Sequence, residues 1–102
     1  MAYSLVFSDA AKADIFAIVE YIATALDNPP AASRLVDRVE DTLSAIVENP
    51  EMFPLSEVNV FAKLKCHYFS VGNYLVYYRV NRAETTIDVV TMVYAGRNLA
   101  KW

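Results

Sequence analysis

The sequence predicts an α+β fold in the order β-α-α-β-β-β, a two-helix hairpin packed on a small, mainly antiparallel sheet. Three observations predict it. Apolar residues recur at helical spacing through the first half of the chain. Pro29 and Pro30 divide that half into two helices, because proline suits a first helical turn and not an interior. In the second half, Gly72-Asn73 joins two strand-like runs as a two-residue hairpin turn. With 102 residues, 56% of them hydrophobic and only two glycines, the chain is expected to fold as one domain, residues 1–102, around one core.

The elements follow in order. Tyr3-Ser-Leu-Val-Phe7 alternates as a short strand, and Ser8 or Asp9 is a good N-cap for the helix after it. Ile15, Ile18, Val19, Ile22 and Leu26 form one apolar stripe, ended by Asp27-Asn28-Pro29-Pro30. Ala32, Leu35, Val36, Val39, Leu43 and Ile46 form the second, and a connection of about three residues makes the helices antiparallel neighbours. Asn49 to Phe61, with Pro50 and Pro54, is predicted as a packed loop. From Ala62 the pattern is strand, turn, strand, turn, strand, ending at Ala95-Gly96-Arg97-Asn98. If Gly72 and Asn73 both occupy the turn, Val71 opposes Tyr74, Phe69 opposes Val76 and His67 opposes Tyr78. Lys63, Lys65 and His67 then share a face with Tyr74, Tyr78 and Val80. Tyr74 to Val80 is apolar on both faces, as in a central strand. The helices are expected to cover one face and to leave the other as the working surface.

The net charge of −3 and pI near 5.0 weigh against a nucleic-acid-binding protein, which ordinarily carries a basic footprint. The charge is unevenly placed. Residues 1–57 hold ten acids against three bases (−7), and residues 58–102 hold six bases against two acids (+4). A local basic surface is therefore compatible with an acidic protein. Seven Tyr, five Phe and one Trp are many for this length, and some of the rings are expected at the surface, where aromatics favour a partner. Cys66 and His67 are the only residues of their types, so neither an internal disulfide nor a structural zinc set is expected, and no cofactor or metal is called for. With no leader pattern and no apolar run of spanning length, a soluble cytoplasmic protein without a membrane partner is expected.

Several segments, in this order and spacing, resemble the RelE/ParE superfamily, the toxins of bacterial type II toxin–antitoxin pairs. Phe7-Ser8 with Ala11 and Asp14-Ile15 resembles the opening strand and first helix. Tyr21-Ile22, Asn28-Pro29, Ala31-Ala32 and Arg34-Leu35 resemble the helical hairpin, and Asn49-Pro50 its exit. Asn73-Tyr74-Leu-Val-Tyr-Tyr-Arg-Val80 resembles the central strand, and Val93-Tyr-Ala-Gly-Arg97 the last strand with its exit arginine. The resemblance implies a growth-arresting toxin of RelE/ParE fold, neutralised by a cognate antitoxin whose extended or helical tail wraps it, as a homodimer or a toxin–antitoxin hetero-oligomer. It leaves two targets open: DNA gyrase, as for ParE-like members, or mRNA on the ribosome, as for RelE-like endonucleases. A diverged member that only binds its antitoxin is a third alternative.

RNA cleavage needs a base, cations facing the phosphate, and an acid for the leaving oxygen. By resemblance, Lys63 and Lys65 match the lysine pair of the nucleases and Arg97 their late arginine, with His67 as the proton carrier. The arginine expected beside the central-strand tyrosine is replaced by Leu75, and the nucleases' C-terminal tyrosine has no clear counterpart in a chain that ends at Trp102. The ParE-like class fits better, because binding a protein requires no cleavage site. Tyr78, Arg79 and Arg97 are then the candidates for gripping a partner. Each residue also has a plainer reading: Lys63 and Lys65 as solvated edge-strand charges, His67 as a cross-strand packing partner of a tyrosine, and Arg79 as a partner for a helix carboxylate.

Overall fold

The computed structural model describes residues 3–95. Strand β1 (Ser4–Phe7) leads directly into helix α1 (Asp9–Glu20). Ser8 has extended backbone, and its Oγ accepts the Ala11 N–H at 2.9 Å, satisfying one of the orphan donors of the first turn. The same hydroxyl donates to the Val90 carbonyl at 3.2 Å, so one side chain caps the helix and fastens it to the sheet. At its far end α1 widens into a π-helical turn, Tyr21–Ala25, where the Leu26 N–H reaches back five residues to Tyr21 O at 3.1 Å. Thr24 assists by donating to Glu20 O at 2.6 Å.

Asp27 takes a left-handed conformation (φ 49°), and Asn28 caps helix α2 (Pro29–Glu48) by accepting from Ala31 N at 3.2 Å. Along α2, Ala32, Leu35, Val39, Leu43 and Ile46 are buried, the stripe the sequence predicts, with Val36 half-buried beside it.

The sheet has the order β1-β4-β3-β2, with β2 spanning His67–Val71, β3 Tyr74–Asn81 and β4 Thr86–Tyr94. The last three strands form an antiparallel meander, and β1 joins β4 in parallel at one edge, a pairing made possible by the crossover through both helices. The predicted register holds: His67 faces Tyr78, Phe69 faces Val76 and Val71 faces Tyr74.

Two features depart from expectation. The strand predicted from Ala62 begins only at His67, because Asn59–Lys63 forms a short helix, α3. That helix ends in a Schellman motif, with Lys65 N–H to Ala62 O at 3.1 Å and Cys66 N–H to Phe61 O at 2.9 Å. The motif needs a left-handed residue, and Lys65 supplies it at φ 57°. In β4, Val90 is an extra residue opposite the Tyr77/Tyr78 step of β3, a bulge that shifts the strand's alternation by one. Ile87, Val89 and Met92 consequently all face the helices.

The helix-covered face carries Phe69, Val71, Val76, Tyr78, Ile87, Val89 and Met92 in one core with Ala11, Ile22, Leu35, Leu43 and Ile46. On the opposite face Cys66, Leu75, Tyr77 and Ala95 form a smaller cluster under Phe61, whose ring stacks on Tyr77 with centroids 3.8 Å apart. Ser8→Ala is expected to cost about 1 kcal/mol in a denaturant melt, and to loosen α1 and β4 together in amide exchange because both bonds share one hydroxyl.

Candidate functional site

The sheet face that Lys63, Lys65, His67 and Tyr78 were expected to line as a working surface is instead the face the helices cover. His67, Tyr74, Tyr78 and Val80 do point the same way, as the register requires, but Tyr74, Tyr78 and Val80 pack in or against the main core. The reason is that β3 is apolar on both sides, and the helical hairpin claims the side bearing Val76 and Tyr78. Tyr78 is 0% exposed; its hydroxyl donates to the Pro50 carbonyl at 3.2 Å. Burial pushes the phenol up to about 12, with a hydrogen bond from the Phe53 backbone pulling the other way.

His67 is 7% exposed and stacks on Tyr78 with centroids 5.2 Å apart. Its Nδ1 lies 2.8 Å from the Phe53 carbonyl oxygen. A carbonyl oxygen can only accept, so Nδ1 is the donor in this contact. His67 is packed there as the cross-strand neighbour of Tyr78.

Lys63 ends α3 and Lys65 holds the left-handed turn after it, so neither lies on a strand, and both side chains are exposed. Arg79 is exposed on β3 opposite Asp88. It is close enough to Cys66 to oppose the upward push that burial gives the thiol. Arg97 lies outside the described residues.

A groove of about 300 Å³ gathers part of the predicted set. Lys65, His67 and Arg79 line it together with Arg82, Leu55 and Leu64. Lys63 is not among the lining residues and Tyr78 lies in the core behind it. Arg82, which no local pattern singles out, pairs with Glu51 across the groove. The Pro50–Ser56 wall is held by hydrogen bonds from three sheet residues: Tyr78 and His67 through their side chains, and Tyr68 N–H to Pro54 O at 3.1 Å. The groove can accept an anionic group through Lys65 and Arg79, and the one imidazole in its lining, that of His67, is mostly buried. Among the described residues no cluster of three or more His, Cys, Asp or Glu is placed to hold a metal ion, and no helix is long and apolar enough to cross a membrane.

The chain is therefore a small α+β protein, with two helices and a short third on a mixed four-stranded sheet. Residues 5–99 match the model of the ParE toxin of the type II toxin–antitoxin system parDE, and the chain belongs to that family. Solved structures share the fold. A chain of the chromosomal ParDE TA system from P. aeruginosa superposes with a TM-score of 0.69 at 20% identity, covering 91% of this chain and 96% of that one. A chain of the RelBE2 toxin–antitoxin complex from Mycobacterium tuberculosis gives 0.62 at 20% identity, over 92% and 99%. A double mutant of E. coli toxin RelE in the free state gives 0.61 at 16% identity, over 98% and 90%. No curated protein matches by sequence.

Two outcomes are expected from this geometry. A left-handed non-glycine residue costs about 1 kcal/mol, so Lys65→Gly should raise thermal stability by about that amount while removing a groove cation. The raised Tyr78 pKa makes its contribution fully present below pH 10 and lost as pH rises through about 12, an alkaline loss of about 2–3 kcal/mol. Tyr78→Phe should flatten that loss in urea titrations between pH 9 and about 12, at a cost near 1 kcal/mol at neutral pH.

Proposed function

We propose that residues 1–102 act as one cytoplasmic toxin unit that arrests bacterial growth by binding DNA gyrase, and that a cognate antitoxin neutralises it. One observation carries the preference for a protein target over RNA cleavage. His67 is packed on Tyr78 and bound to Phe53 O, so the groove offers cations for gripping an acidic surface but no freely exposed proton carrier. Membership of the ParE family supports the same preference. The neighbouring structures named as ParDE and RelBE systems support an antitoxin as partner.

A second reading, a RelE-like ribosome-dependent mRNA endonuclease, draws support from the convergence of Lys65, His67, Arg79 and Arg82 on one groove, where the Phe53 carbonyl engages Nδ1 of His67 and not Nε2. In that case Lys65 and Arg97 would neutralise phosphate.

Brief, tightly controlled expression in a bacterial host, with labelled thymidine and labelled amino acids followed over the first minutes, separates the two. DNA synthesis is expected to fall first. An earlier fall in protein synthesis would sink the gyrase reading in favour of RNA cleavage. Undisturbed growth with abundant folded protein would mark an inactive antitoxin-binding module.

A further inference from the structure

The groove between the Pro50–Ser56 wall and the end of β3 holds more positive charge than its own carboxylate can answer. Lys65, Arg79 and Arg82 line it with one acid, Glu51, a surplus of two positive charges. Glu51 is already paired with Arg82. Among the described residues neither Lys65 nor Arg79 has a carboxylate within 4.0 Å. Asp88 stands opposite Arg79 in the β3–β4 register, yet its carboxylate accepts from Thr86 Oγ1 at 2.7 Å. Leu55, Leu64 and Val80 form the apolar part of the lining, which keeps water off one side of the cations and strengthens their pull on an anion.

Two features mark this charge as arranged for a ligand. The turn that ends α3 needs a left-handed residue, a place that suits glycine, and lysine occupies it at φ 57°. Strained residues of this kind gather at ligand-binding sites, and what this one delivers is an ammonium group on the groove. The Glu51–Arg82 pair, in turn, is easily opened. Its side chains are 56% and 66% exposed, and exposed pairs contribute little. Beside Glu51, the Pro50 carbonyl is held by the Tyr78 hydroxyl at 3.2 Å, so the carboxylate can swing away while the wall stays in place.

We propose that the groove is a site for a phosphate dianion, free or at the end of a small ligand, held by Lys65, Arg79 and Arg82. Glu51 is its built-in competitor, paired with Arg82 until the phosphate takes its place. Charge and donor geometry select this occupant. A carboxylate is satisfied by one arginine fork, and a phosphodiester brings a single negative charge. A terminal phosphate brings close to two charges and three peripheral oxygens, enough for one ammonium and two guanidinium groups. The site goes beyond the growth-arrest reading and does not depend on which target that reading names. A phosphate bound here occupies the cations that the proposed function assigns to an acidic partner surface, and so competes with that partner.

The test titrates the full chain with inorganic phosphate, adenosine 5′-monophosphate and its cyclic 3′,5′-diester, followed by amide NMR at about 0.15 M salt. Phosphate and the monophosphate are expected to move the signals of residues 65, 79 and 82 to saturation, the monophosphate at least about fivefold tighter than the diester. Equal affinity for those two ligands supports free phosphate as the occupant, and a tighter monophosphate supports a phosphate ester. Glu51→Gln should tighten both by about threefold to fivefold, and Arg79→Gln should weaken both at least about tenfold. Lys65→Gly, the variant expected to gain stability, should weaken them too, which separates lost binding from lost folding. Arg34→Gln with Arg38→Gln removes two exposed cations outside the groove and should change affinity by less than about twofold. Signals that never saturate, a diester as tight as the monophosphate, a Glu51→Gln chain that binds no tighter, or equal losses from the Arg34/Arg38 pair and Arg79 would overturn the proposal. Growth arrest is scored separately. A chain that arrests nothing and still binds phosphate in this pattern sinks the toxin reading and leaves the site standing.

Discussion

The architecture depends on a central strand that has no polar face. Along β3, Tyr74, Val76, Tyr78 and Val80 point to one side and Leu75 and Tyr77 to the other. A strand apolar on both faces must be covered twice, and the two covers are unequal. The long amphipathic α2 and the capped α1 bury one side thoroughly. Among the described residues the other side has the single turn of α3, whose Phe61 lies flat on Tyr77, and the loop around Ser56. Two tyrosines adjacent in sequence thus anchor separate clusters, and a change at either acts on a different part of the fold.

The same strand explains why the cationic groove has a firm wall. A proline-bearing connection between α2 and α3 has few regular hydrogen bonds of its own, so its carbonyls need donors from elsewhere. β2 and β3 provide them: Tyr78 to Pro50, His67 to Phe53 and Tyr68 to Pro54. The Ser56 N–H returns the favour to Cys66 O at 2.7 Å. Tyr78 and His67 lack the exposure of working groups, yet they set where Glu51 and Leu55 stand and hence how Arg82 is oriented. Their influence on the groove is through position.

The sequence carried the order of elements because each rests on local chemistry: the Ser8 cap, the Asn28-Pro29-Pro30 break, and the Gly72-Asn73 turn that sets the β2–β3 register. It did not carry the choice of face, since Tyr74/Tyr78 and Leu75/Tyr77 are equally apolar and alternation alone gives no reason for the helices to prefer one pair. Helix α3 was hidden because Val58 offers no side-chain cap and its terminator is Lys65 where glycine is usual. The bulge was hidden by Val89-Val90, two like residues between which the pattern cannot show a change of phase. At the site, Lys65 and His67 were readable as neighbours on one surface, and Arg79, named separately on the central strand, joins them only in the folded chain. Arg82 was not, because it stands in a turn and its partner Glu51 lies far away in sequence.

The geometry of β3 also bears on how a partner could silence the molecule. Tyr74 opens the strand beside an apolar trough of about 690 Å³ that Tyr21 and Tyr94 also line, and Arg79 and Arg82 stand near its other end beside the cationic groove. At about 3.4 Å per residue, these ends are about 25 Å apart. A short helix seated on Tyr21, Tyr74 and Tyr94 would leave Lys65 and Arg79 uncovered. Neutralisation from that end therefore requires either a partner long enough to run the length of the strand, or one that changes the groove through the sheet. The second route is poorly supplied. The strand between the ends is locked by ladders on both sides and by two packed clusters, which leaves no loosely held element to carry a shift. Length enough to run from Tyr74 to the groove is the physical requirement that a partner seated at that end would have to meet.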